Sequence, residues 1–140
     1  MKATMNDNVK ITEYNKDLIE FAQTIDFTDL FDRVREIADV KCQFQTPKIT
    51  TNYEGSVFIQ FESDNIADQC GPFGKILESC QIENFSGYVT RDRDTGEIYY
   101  WLTVSLRYRH IGGGSNGMDL CRAQYNHGTW MLFNVEGALV

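Results

Sequence analysis

The sequence predicts an α+β fold in which N-terminal helices pack on one face of a curved antiparallel β-meander of about five to six strands. Three observations point there. Two stretches before residue 40 repeat apolar residues at helical spacing, the period changes to two from Lys48 onward, and alternating segments separated by glycine-bearing turns fill Phe85 to Val135.

Ile11, Tyr14, Leu18, Phe21, Ala22 and Ile25 fall three or four apart and line one helical face, with Glu13, Lys16, Asp17 and Glu20 elsewhere. Phe27, Leu30, Phe31, Val34, Ile37 and Ala38 repeat the pattern directly after Asp26. Asp26 suits an N-cap, because its carboxylate can accept orphan amide protons at the positive end of the helix dipole. Val57, Ile59 and Phe61 alternate with Phe58, Gln60 and Glu62, so Ser56–Glu62 reads as a strand after a turn at Asn52–Gly55, and Phe44–Thr51 as a weaker one. Gly71 and Pro72 suit a helix start, with Phe73, Ile76, Leu77 and Cys80 returning to helical spacing.

The meander begins with a strand from Phe85 to Arg91. Asp94-Thr95-Gly96 supplies the glycine that a short hairpin loop needs. The next strand, Glu97–His110, separates Ile98, Tyr100, Leu102, Val104, Leu106 and Tyr108 on a core face from Tyr99, Trp101, Thr103, Ser105, Arg107 and Arg109 on an outer face. Beyond the loop Gly112–Gly117, a strand from Met118 to Tyr125 turns through Asn126-His127-Gly128 into Thr129–Val135.

Length supports one domain over 1–140, with residues 1–8 as a flexible N-terminus. Apolar and charged shares of 42% and 24% are ordinary for a globular chain. No apolar run approaches the ~18 residues that span a bilayer, and residues 1–8 lack the apolar core of a secretory signal, so a cytoplasmic protein is expected. Cys42, Cys70, Cys80 and Cys121 form no CxxC pair and sit among apolar neighbours, as reduced core thiols do. The charge is uneven: residues 1–83 hold 8 basic and 15 acidic side chains, residues 84–140 hold 5 and 5. An acidic first half disfavours direct contact with phosphate backbones and favours a basic protein surface.

No catalytic or metal-binding constellation emerges, and neither a cofactor nor an enzymatic activity is expected. His110 and His127 lie at a strand end and in a tight turn, with no nucleophile or carboxylate at motif spacing. Asp92–Glu97 opens like a calcium loop but has Gly96 at the fifth position, where an oxygen ligand should stand, and Thr103 at the twelfth, where a bidentate acid should. Gly71–Lys75 lacks the spacing of a phosphate loop. Gly112–Gly117 has the composition of an anion-binding nest but equally of a connector between strands.

Two surfaces remain as partner-binding candidates. One is the polar side of the second helix, with Asp29, Asp32, Glu36 and Asp39, where Arg33 and Arg35 can neutralise part of the charge. The other is the outer face with Tyr99, Trp101, Arg107 and Arg109, residue types that dominate protein interfaces and also stack single-stranded RNA.

The stretch Tyr108-Arg109-His110-Ile111-Gly112-Gly113-Gly114-Ser115-Asn116-Gly117-Met118 between two strands, in a short acidic chain without an active site, resembles small accessory proteins of gut phages and mobile elements, including anti-CRISPR proteins. That group shares no fold or motif, so the resemblance implies a mode of action and no individual residue: occlusion of a basic surface on a CRISPR-associated or other nucleic-acid-handling nuclease. The expected function is a non-enzymatic protein-binding inhibitor without membrane or nucleic-acid contact. The alternatives are a small-molecule-binding domain or enzyme with an apolar pocket rimmed by Tyr100, Tyr108, Trp130 or a histidine, and a homo-oligomer joined through Tyr99 and Trp101.

Overall fold

The structure, a computed structural model, describes residues 1–67 and 77–140. Two helices, α1 (Lys16–Thr24) and α2 (Thr28–Ala38), accompany β1 (Thr4–Met5), β2 (Lys48–Thr51), β3 (Val57–Gln60), β4 (Ile66–Ala67), β5 (Leu77–Arg91), β6 (Ile98–His110), β7 (Ser115–Asn126) and β8 (Thr129–Phe133). The fold is α+β, with seven strands ordered β1-β2-β3-β5-β6-β7-β8 in one open sheet and β4 pairing beside them with β5. All pairings are antiparallel except β1 with β2. Five to six strands was too few. β1 and β4 are two residues long, too short to leave a period in the sequence, and β1 is drawn from the stretch expected as a flexible N-terminus.

Helix α1 starts five residues later than the spacing of Ile11 suggested. Asn15, fully buried, accepts the Thr12 amide and donates to the carbonyls of Lys10 and Gly55, so the chain before Lys16 is held as a turn and Ile11 and Tyr14 are exposed. In α2 the apolar residues Leu30, Phe31, Val34 and Ala38 are buried as their spacing required. Asp26 accepts the amide and hydroxyl of Thr28 from one position before the N-cap, which Phe27 occupies. Phe27 lies at the centre of an aromatic core, its ring 5.5 Å from Trp130, 5.7 Å from Phe31, 6.0 Å from Tyr100 and 6.2 Å from Phe61.

Strand β5 corrects the sequence reading twice. The helix expected from Gly71 lies mostly outside the described residues, but Leu77 and Cys80, which it used, belong to β5. A register shift between Leu77 and Ser79 turns both residues inward although they are three apart, so a bulge imitates helical period. A second shift, between Asn84 and Ser86, makes Phe85 the extra residue. Past it Gly87 pairs with Leu102, and Tyr88 with Trp101.

The long strand β6 keeps the expected alternation except at Ser105, expected on the outer face but fully buried, its hydroxyl donating to Asp119 where the register with β7 shifts. Tyr100, Leu102, Val104 and Leu106 are fully buried, whereas Tyr99, Trp101 and Thr103 are half-buried and Arg107 and Arg109 exposed. Strand β8 stops at Phe133, and the following residues double back so that Val140 donates to the Leu132 carbonyl and Leu139 bridges Phe133. This return covers part of an otherwise bare sheet edge.

Candidate functional site

The helix α2 presents Asp29, Asp32 and Glu36 to solvent, and Asp39 follows at its C-cap. Asp29 pairs with Arg33 at 3.6 Å and Asp32 with Arg35 at 2.9 Å, while Glu36 and Asp39 have no side-chain partner among the described residues. Both arginines also bind backbone, Arg33 the Trp130 carbonyl and Arg35 that of Cys42, so they are held close to the protein body. Residues 26–39 therefore carry five carboxylates against two guanidinium groups.

A cavity of about 510 Å³ opens between the start of α2 and the β7–β8 hairpin, lined by Asp26, Thr28, Asp29, Asp32, Tyr125, Gly128, Thr129 and Trp130. The indole nitrogen of Trp130 donates to the Asp26 carbonyl at 2.8 Å, which anchors the aromatic floor to the acidic rim. Asp26 is held well below the usual carboxylate range, first by the Met1 ammonium and then by the Thr28 amide and hydroxyl. It stays ionised at neutral and mildly acidic pH.

The second candidate set lies on the outer face of the sheet, and no contact joins it to the first among the described residues. Trp101 packs on Phe133 at 6.2 Å. Arg107 lies over the Phe85 ring at 5.7 Å and 2.9 Å from Glu83, and Arg109 is 3.4 Å from Glu78. Glu83 is only 5% exposed. Burial pushes its carboxyl above the usual range, Arg107 draws it back, and Glu62 pushes it further up. Its Oε1 meets Arg107 at poor hydrogen-bond geometry, so the ion pair offsets only part of the burial.

Several residues of this face were not anticipated: Phe58, Phe85, Tyr88, Met131 and Phe133. Phe85 and Tyr88 are three apart and share a face because of the bulge at Phe85, which a strict period of two cannot reveal.

His127, at φ 54° in the β7–β8 turn, lies 3.0 Å from Glu97, and His110 stacks edge-on with Tyr108. Asp92 accepts the amides of Asp94 and Thr95 and so shapes the β5–β6 turn. Cys42, Cys80 and Cys121 are buried and free, whereas Cys70 lies outside the described residues. Burial raises all three thiols, Cys121 to about 11, so none is a reactive thiolate at neutral pH. Among the described residues no cluster of three or more His, Cys, Asp or Glu side chains could hold a metal ion, and no helix is long and apolar enough to cross a membrane. Tyr100, named as a pocket rim, is instead sealed in the core against Phe27 and Trp130. Comparison with protein-family models, curated proteins and solved structures finds no match for this chain.

Proposed function

We propose that this protein is a non-enzymatic, mobile-element-encoded inhibitor that docks the acidic side of α2 on a basic surface of a CRISPR-associated or other nucleic-acid-handling nuclease. The observation that carries the reading is the charge of residues 26–39 together with the cavity beside it: three carboxylates, Asp26, Asp29 and Asp32, border a floor made by Trp130 and Tyr125. An arginine side chain entering there meets a carboxylate rim whose Asp29 and Asp32 it shares with Arg33 and Arg35, above the nearly buried rings of Trp130 and Tyr125. Glu36 and Asp39 extend the surface with charges that have no partner among the described residues. In this reading the helices form a layer over the inner face of the sheet, supported by the ring contacts of Phe21 with Tyr125 and of Phe27 with Trp130. The same reading places the protein in the cytoplasm, where such nucleases act.

The test uses purified CRISPR nucleases, a cleavage assay and a salt series. Inhibition is expected, weakening steeply as ionic strength rises through the range where the Debye length falls below ~8 Å. Replacing Asp29 and Asp32 by Lys is expected to weaken binding at least about 10-fold. Binding that ignores salt and both substitutions rejects the acidic surface, and no inhibition of any nuclease rejects the reading.

A further inference from the structure

We infer that the outer face of the sheet is a self-association surface on which a second copy of this chain docks face to face. Phe58, Phe85, Tyr88, Trp101, Met131 and Phe133 share this face, with Phe85 51%, Met131 43% and Tyr88 38% exposed. The register aligns Tyr88 with Trp101, Trp101 with Gln124 and Gln124 with Met131, so one row of large side chains crosses β5, β6, β7 and β8. Next to this row a cavity of about 600 Å³ extends over β2 and β3, lined by Asn8, Thr50, Thr51, Asn52, Phe58, Gln60, Phe85, Ser86, Gly87 and Tyr88. None of its lining residues is charged, in a chain where 24% of residues are. Such a lining can lose its water without stranding an ion.

Two arguments select a second copy over other occupants. The first is area. The long strands β5, β6 and β7 at ~4.8 Å spacing over the span from Tyr99 to Arg107 at ~3.4 Å per residue, with the shorter β3 and β8 beside them, give roughly 500 Å² before side-chain relief, against the ~800 Å² per partner of a stable interface. The second is charge. Arg107 is partnered with Glu83 and Arg109 with Glu78, whereas Arg122, exposed between Thr103 and Phe133, has no ion pair among the described residues, and residues 84–140 balance 5 basic against 5 acidic side chains. The whole chain carries −7, all of it from residues 1–83. Two copies meeting through their outer faces leave the acidic residues of α2 outside the contact. A nucleic acid would need net positive charge here, which Arg122 alone, beside the paired Arg107 and Arg109, does not provide.

The test is the solution mass of the full chain by light scattering and sedimentation across a dilution series. A species of twice 16.1 kDa is expected, dissociating on dilution. Tyr88→Lys with Met131→Lys is expected to weaken the dimer at least about 100-fold while leaving the far-ultraviolet circular dichroism unchanged, since both side chains stand out from the core. Acrylamide quenching provides a second reading: Trp101 fluorescence becomes more accessible as the wild-type dimer dissociates, whereas Trp130 stays buried. A 16.1 kDa monomer at about 100 µM, where interfaces of this size associate, overturns the inference. So does a dimer indifferent to both substitutions, or a monomer that binds single-stranded nucleic acid through the same residues.

Discussion

At Gly87 the absence of one side chain is what the inner face of the sheet depends on. A Cβ there would collide with the Asn84 amide nitrogen and stand 2.5 Å from the Tyr100 hydroxyl and 2.8 Å from the Ile59 carbonyl. Those groups form a buried network: Tyr100 donates to the Ile59 carbonyl at 2.7 Å, and Asn84 donates both to that carbonyl and to the Tyr100 oxygen. The network holds the Tyr100 hydroxyl that burial would otherwise leave stranded, and it ties β3 to β5 and β6. Gly87→Ala is therefore expected to destabilise the protein by about 3 kcal/mol, combining overpacking with broken buried hydrogen bonds. The urea midpoint of the variant measures this, and a change within about 0.5 kcal/mol, the scale of an ordinary surface substitution, would show that the strand can shift to admit a methyl group.

The helix α2 ends because Asp39 takes a left-handed conformation, φ 53° and ψ 46°, with its own amide bound to Glu36 and that of Val40 to Arg35. A glycine adopts that conformation without a Cβ penalty, so Asp39→Gly is expected to stabilise the protein by about 0.5–1 kcal/mol, and Asp39→Val to destabilise it by at least as much. Thermal unfolding of the two variants checks both signs, and a stabilising valine would refute the account. At this scale the sequence was informative wherever one period ran unbroken. Leu30, Phe31 and Val34 marked the buried stripe of α2, and Ile98 to Arg109 separated the two faces of β6 everywhere but at buried Ser105, because burial on one side alone imposes the period. It misled where side-chain hydrogen bonds or bulges intervene. Asn15 converts the apparent first turn of α1 into a loop, and the bulges of β5 place Leu77 with Cys80 at a spacing that reads as helix and put Phe85 and Tyr88 on one face, which a strict period of two hides. The acidic residues of α2 were legible as a group, whereas the cavity beside them depends on Trp130, brought next to Asp26 across 104 residues of sequence.

Taken over the whole molecule, the titrating groups shift in opposite directions and so act in different pH ranges. The folded carboxyl of Glu83 lies above its ordinary value of 4.5, so the native state binds more protons than the unfolded chain in that range, and stability falls as pH rises through it. The net charge of −7 adds self-repulsion with the same sign, relieved as carboxylates protonate. Asp26 and Asp92 work the other way. Hydrogen bonds from the Met1 ammonium and the Thr28 amide hold the first below its ordinary 3.8, and the Thr95 and Asp94 amides hold the second, so their stabilisation is complete above pH 3.8 and is lost only as pH falls below it. The buried thiols and the phenols of Tyr99 and Tyr100 shift upward from 9.0 and 10.0 and stay neutral throughout the physiological range. The balance puts the stability maximum on the acid side of neutrality, and the urea midpoint at about pH 5.5 is expected to exceed that at about pH 8. Glu83→Gln removes the titrating group while leaving Arg107 exposed to water, so the variant is expected to gain midpoint at about pH 8, match the wild type at about pH 4 and show a flatter profile between. A wild-type midpoint that rises from about pH 5.5 to about pH 8, or a Glu83→Gln variant that loses stability at the upper pH, would mean that the Arg107 pair more than offsets the burial of the carboxylate.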